Sequence, residues 1–217
     1  MTKIKFCGIT RLEDAELAVA NGAWAVGLIF WPKSPRRAQP GAAAEIAAAV
    51  KRRAEVVGVF VNPALDYVAE IADGVGLTMV QLHGDEGPAY CAEVARRTGC
   101  KVIKAARVRS GADVRALASF HTDYHLLDSY TPGVPGGTGE SFSWELARGY
   151  RRPAHPVPVI LSGGLTSDNV ADAIAAVHPY AVDVASGVEL TPGRKDPDKL
   201  AAFAAAVRST TLAAAAP

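Results

Sequence analysis

The chain has 217 residues, a formal net charge of +1, 49% hydrophobic and 21% charged residues. That length suits a single well-buried domain near the lower end for barrel enzymes. The near-neutral balance argues against nucleic-acid or membrane partners, and no stretch reaches the ~20 apolar residues that a membrane helix needs.

Lys3-Ile4-Lys5-Phe6 opens the chain without a secretory signal, and Cys7, Cys91 and Cys100 form no CxxC pair. No disulfide framework or metal site is expected, and a cytoplasmic location is. In chain order, an apolar run over 3–9 precedes a helical pattern over 12–20, and 25–30 precedes 42–53. Runs over 56–61, 79–83 and 101–106 precede helical patterns over 64–73, 88–97 and 112–119. A run over 124–128 leads to a short helix starting near Trp144, 157–162 to 168–176, and 181–186 to 198–207.

Eight strand-then-helix units demand a parallel sheet with helical crossovers. An open doubly wound sheet would leave two edges; closure removes them, so an α/β fold with a single (β/α)8 barrel is expected over 1–209. Residues 210–217 carry no partner pattern and are expected to be a disordered tail. Thr10 and Ser110 occupy expected N-cap positions, and Pro88 suits a first turn. Asn21-Gly22 and Thr98-Gly99 are expected helix stops.

Catalytic groups of such a barrel gather where strands end. Residues two apart share a strand face, so Lys5 with Cys7, Gln81 with His83, Tyr124 and Leu126 with Asp128, and Asp183 with Ala185 are candidate lumen sets. Gln81 and Lys104 read as satisfied structural groups. Strands one and eight adjoin at closure, so Lys5 and Asp183 are expected to pair, and Lys5 to favour the Cys7 thiolate. Cys7 is expected to be exposed at its strand end beside Gly8, whereas Cys91 and Cys100 read as small hydrophobes.

Ser162-Gly163-Gly164 and Ser186-Gly187 end the last two strands, where this fold commonly cradles phosphate. Glycine lets backbone N–H groups approach the oxygens, and a short helix from Ser186 would add its positive end. Gly136-Gly137-Thr138-Gly139 offers more donors and a flexible cover. Across the mouth, Cys7 can accept a proton from carbon and Asp128 can donate one to oxygen, an acid–base isomerisation that calls for no metal and no cofactor.

Cys7-Gly8-Ile9-Thr10, Gln81-Leu82-His83-Gly84, Leu127-Asp128-Ser129, Leu161-Ser162-Gly163-Gly164 and Asp183-Val184-Ala185-Ser186-Gly187-Val188-Glu189 resemble the signature segments of phosphoribosylanthranilate isomerases. So do Gly27-Leu28-Ile29-Phe30 and Ser34-Pro35-Arg36, and the resemblance runs in order from Lys3 to about Lys199.

It implies an Amadori rearrangement of a phosphorylated aminoaldose in tryptophan biosynthesis. It further implies Asp128 as general acid, Cys7 as general base, Arg36 or its neighbour Arg37 on the anthranilate carboxylate, and His83 positioning substrate. Phosphate would be held by Gly137, Gly163, Gly164, Ser186 and Gly187, in a monomer or homodimer. Ser143 and Trp24 depart from the family pattern, each standing where an acidic residue is usual.

Two rivals exist. A histidine-pathway aminoaldose isomerase would carry an aspartate where Cys7 stands and a second phosphate cradle. A non-catalytic phospholigand-binding module would not need both Cys7 and Asp128.

Overall fold

The computed structural model describes residues 1–129, Trp144, Ala147 and 157–214. Eight parallel strands close into a barrel in sequence order. They are β1 (Lys3–Cys7), β2 (Ala25–Ile29), β3 (Glu55–Phe60), β4 (Met79–Leu82), β5 (Lys101–Val108), β6 (Tyr124–Ser129), β7 (Val159–Leu161) and β8 (Ala181–Val184). The crossovers carry α1 (Leu12–Ala20), α2 (Pro40–Val50), α3 (Leu65–Val75), α4 (Pro88–Thr98), α5 (Gly111–Ala116) and α6 (Val170–Val177), and α7 (Pro197–Ala214) follows β8. Among the described residues no helix is long and apolar enough to cross a membrane.

Strand alternation divides the interior into two shells. One parity packs outward against the helices, through Ile4, Phe6, Val26, Leu28, Val80, Leu82 and Leu127. The other fills the lumen with Ala25, Val57, Val59, Met79, Ile103, Ala105, Leu126, Ile160 and Ala181 beneath Cys7. Among the described residues the lumen is therefore a packed core lying beneath the strand-end mouth.

Ser110 caps α5 in a reciprocal box with Asp113, Pro88 opens α4, and Gly99 ends that helix in the left-handed region. Thr10 does not cap α1. Arg11 holds the cap position without a side-chain bond, while Thr10 Oγ1 donates to Gly193 O at 2.6 Å. The reason is a hairpin that periodicity did not reveal, β9 (Glu189–Thr191) with β10 (Arg194–Lys195), which folds back over the end of β1.

The last helix also continues to Ala214, past the boundary expected at 209; residues 215–217 lie outside the described ones. So do Gly136 to Gly139, Ser143 and most of the expected helix at Trp144.

The opposite end of the lumen is closed by an aromatic plug. Trp24, Tyr124 and Tyr180 stand with ring centroids 5.4 Å apart in each pair. Lys3 Nζ lies over Trp24 and Tyr180 and donates to the Tyr180 hydroxyl at 2.8 Å. The departure at Trp24 is thus a packing substitution far from the mouth. Trp24→Ala is expected to lower unfolding free energy by about 2–3 kcal/mol, less than a fully buried tryptophan because the ring is half-buried, with kcat unchanged. Urea unfolding beside a rate assay checks both halves.

Candidate active site

A cavity of about 320 Å³ opens at the carboxyl ends of the strands. Cys7, Gln81, His83, Asp128, Ser162 and Asp183 line its floor, with Arg36 to one side and Gly163, Gly164, Ser186 and Gly187 along another. Ile29, Trp31, Val59 and Val61 form an apolar wall that the sequence reading missed, because apolar strand ends look the same whether they face core or ligand.

At the floor, β1 pairs with β8 so that Lys5 is the register partner of Asp183. Lys5 Nζ donates to Asp183 Oδ1 at 2.8 Å and Ser162 Oγ donates to Asp183 Oδ2 at 3.1 Å. Burial alone would lower the Lys5 pKa; Asp183, and then Cys7, outweigh it, so the ammonium holds its proton more tightly than an ordinary lysine.

Cys7 is buried, 6% exposed, which corrects the expected exposure; its backbone carbonyl accepts from Lys195 of the β9–β10 hairpin. Its thiol is also pushed up by burial, and the opposing pull of Lys5 does not reverse this. The expected help from Lys5 is therefore present but outweighed. Room for these side chains comes from β2, where a Cβ on Gly27 would stand 2.8 Å from Cys7 Sγ and 3.2 Å from Lys5 Nζ.

Asp128 is the penultimate residue of β6, three strands from β1 around the closure. Gln81 Nε2 donates to His83 Nδ1 at 3.0 Å, which leaves the ring hydrogen on Nε2. That nitrogen lies 3.2 Å from Asp128 Oδ2 but is misaligned for a hydrogen bond. Gln81 Oε1, His83 Nε2 and Asp128 Oδ1 are buried without partners. Unsatisfied polar atoms gathered at one cavity mark where a polar ligand docks. Lys104 turns outward, bonding Glu86 and Gly84 O, as its structural reading expected.

Arg36 faces the cavity and Arg37 is exposed, which separates the two. Glu189 grips Arg36 at Nε and Nη2 over 2.8–3.0 Å, leaving the Nη1 edge outside this grip. Gly8, at φ +74°, gives the stem its passage, since a Cβ there would come 2.7 Å from Arg36 Cδ. Gly163 and Gly164 both have positive φ, and a three-residue 3-10 turn starts at Ser186. A Cβ on Gly187 would collide with the Leu165 carbonyl, so the last two loops meet backbone to backbone.

Glu189 and Lys195 were not singled out from sequence. A Pro192-Gly193 turn signal was there, but nothing local showed that the lysine after it would be buried.

The fold and site define a (β/α)8-barrel enzyme with a thiol and a carboxyl group at one cavity. The sequence profile of N-(5'phosphoribosyl)anthranilate (PRA) isomerase matches residues 4–206. An N-(5'-phosphoribosyl)anthranilate isomerase of Citrifermentans bemidjiense is 51% identical over 215 residues, 98% of this chain and 100% of that protein. The crystal structure of phosphoribosyl anthranilate isomerase from Thermotoga maritima superposes with a TM-score of 0.88 at 42% identity, covering 96% of this chain and 100% of that one. A phosphoribosyl anthranilate isomerase solved in complex with reduced 1-(o-carboxyphenylamino)-1-deoxyribulose 5-phosphate superposes with a TM-score of 0.82 at 40% identity, over 96% and 100% of the two chains. The chain belongs to the N-(5'-phosphoribosyl)anthranilate isomerase family.

Proposed function

We propose that this chain converts N-(5-phosphoribosyl)anthranilate to 1-(2-carboxyphenylamino)-1-deoxyribulose 5-phosphate, the isomerisation of tryptophan biosynthesis, in the cytoplasm and as a monomer or homodimer. The observation that carries this reading is the pairing of a buried thiol and a buried carboxyl group at one cavity with unsatisfied polar atoms between glycine loops and an apolar wall.

Asp128 donates a proton to the furanose ring oxygen as the C1′–O bond breaks, leaving an open-chain protonated Schiff base. The Cys7 thiolate then removes the C2′ proton, and the electron pair moves into C1′=C2′ to neutralise the iminium nitrogen. The enolamine so formed tautomerises to the ketone. Because burial raises the Cys7 thiol, its thiolate is scarce in the empty site; the positive Schiff base supplies the charge that favours it when it is needed.

Backbone donors of Gly163, Gly164, Ser186 and Gly187 suit the 5-phosphate, with Gly137 assigned to the same group from sequence and lying outside the described residues. His83 positions the reacting end beside Asp128, and the Arg36 Nη1 edge meets the anthranilate carboxylate.

Arg36→Lys is expected to raise KM at least tenfold with a smaller change in kcat, because an ammonium cannot keep two bonds to Glu189 and still present a fork. An unchanged KM would remove Arg36 from substrate binding. The reading as a whole is tested by steady-state turnover of freshly generated N-(5-phosphoribosyl)anthranilate. Folded protein that binds a phosphorylated analogue without turnover would be a binding module instead.

A further inference from the structure

The hairpin after β8 delivers a second lysine to the Cys7 neighbourhood. Lys195 is 2% exposed, and its backbone N–H donates to Asp14 Oδ2 on α1 at 3.1 Å. Its ammonium donates to the Cys7 carbonyl at 2.6 Å, the Ala185 carbonyl at 3.0 Å and Glu189 Oε1 at 3.2 Å. Three acceptors arranged around three ammonium hydrogens give it a full set of partners.

Those acceptors sit at telling places. Cys7 O belongs to the residue assigned as base, Ala185 O ends β8 just before Ser186, and Glu189 is the carboxylate that grips Arg36. Lys195 is the atom-scale junction of these three, although none of the acid–base steps uses it. A buried lysine is costly unless paired, and a hydrophobic residue of similar length would fill the same space without that cost. A purely packing role leaves the charge unexplained.

We propose that Lys195 is a positioning residue that fixes the Cys7 end of β1 against the end of β8 and, through Glu189, against Arg36, so that base and carboxylate holder keep one spacing. A one-ångström misplacement of a reacting group is enough to slow proton transfer substantially. The ammonium, whose pKa burial lowers against the pull of Glu189 and Cys7, also adds a second positive charge beside the thiol. Facing Cys7 are Lys5 on its own strand, Asp183 from β8 and Lys195 from the hairpin, with Glu189 and Arg36 next to the last and His83 and Asp128 across the mouth. After burial, Lys5 has the largest influence on the thiol; Asp183 opposes it and Lys195 acts with it.

The inference rests on Cys7 being the base, so its test reads the thiol directly as well as the reaction. Alkylation of Cys7 by iodoacetamide is followed by peptide mass spectrometry across pH, in the parent and in Lys195→Met. The expected result is a Cys7 profile displaced to higher pH in the variant, a kcat at least tenfold lower, and a KM within threefold of the parent because Arg36 keeps Glu189. An unmoved alkylation profile with kcat within twofold would overturn the proposal and leave Lys195 a packing residue.

If Lys195→Met does not fold, Glu189→Gln tests the other arm of the junction. Arg36 and Lys195 then lose the negative charge of their common anchor, so KM rises and kcat falls, each at least fivefold; an unchanged kcat would equally overturn the proposal. Absence of turnover in the parent would defeat the assigned reaction, yet the alkylation profiles would still report on Lys195.

Discussion

Asp128→Asn is expected to lower kcat for N-(5-phosphoribosyl)anthranilate by about 10²–10⁴-fold with KM changed only severalfold, the span associated with loss of the proposed general acid. The substitution keeps the shape of a side chain that is 2% exposed at the end of β6, so packing is preserved while the transferable proton is lost. Cys7→Ala gives a loss of the same order for the second proton transfer. The double variant is no worse than the poorer single one, because both groups serve one sequence of steps and their effects do not add. Steady-state rates on the four proteins check this. Either single variant within threefold of the parent would remove that residue from the chemistry. In the parent, kcat/KM is expected to climb as pH rises above neutrality, since burial holds the Cys7 thiol up and the proposed base is its thiolate.

The second large effect is on stability. Lys5→Met costs about 3–5 kcal/mol of unfolding free energy, because it strands the Asp183 carboxylate in the barrel floor with only Ser162 as a partner among the described side chains. Adding Asp183→Asn to Lys5→Met returns most of that loss, since the uncompensated charge is gone. Urea unfolding of the two variants distinguishes them, and a Lys5→Met midpoint equal to the parent's would show the pair to be neutral.

The sign of the pH dependence follows from Lys5 holding its proton above the ordinary value of 10.5. Its contribution is fully present below that value and fades only as pH rises beyond it, through the folded-state pKa. The stability difference between parent and Lys5→Met is therefore level across neutral pH and shrinks in strong alkali. Lys5→Met also displaces the Cys7 thiol further upward, since the largest influence opposing its burial has been removed.

Much of the site was legible along the chain because barrel strands place chemistry by parity and position. Cys7, His83 and Asp128 each stand at or beside a strand end on the face that holds the lumen apolar set, Gly187 after β8 stands where two loops meet backbone to backbone, and Gly163 and Gly164 after β7 take positive φ. The Lys5–Asp183 pair followed from adjacency of the first and last strands. What misled was local inference about environment. Gly8 suggested an exposed Cys7, yet that glycine makes way for the Arg36 stem, and Cys7 is buried with its thiol against β2 at Gly27. Thr10 had the composition of a helix cap but bonds Gly193, 183 residues away.

The eightfold alternation, the closed parallel barrel and the family are readable along the chain, because they reside in short-range periodicity and in contiguous motifs. Only the tertiary structure decided that Arg36 is gripped by Glu189, that Trp24 joins a plug of aromatic rings, and that Lys195 reaches the Cys7 carbonyl. It also decided that burial outweighs Lys5 at the thiol. The physical reason is common to all four: pairing and desolvation depend on which distant segments share a volume, and closing the barrel brings residues 153 and 188 positions apart into hydrogen-bond contact.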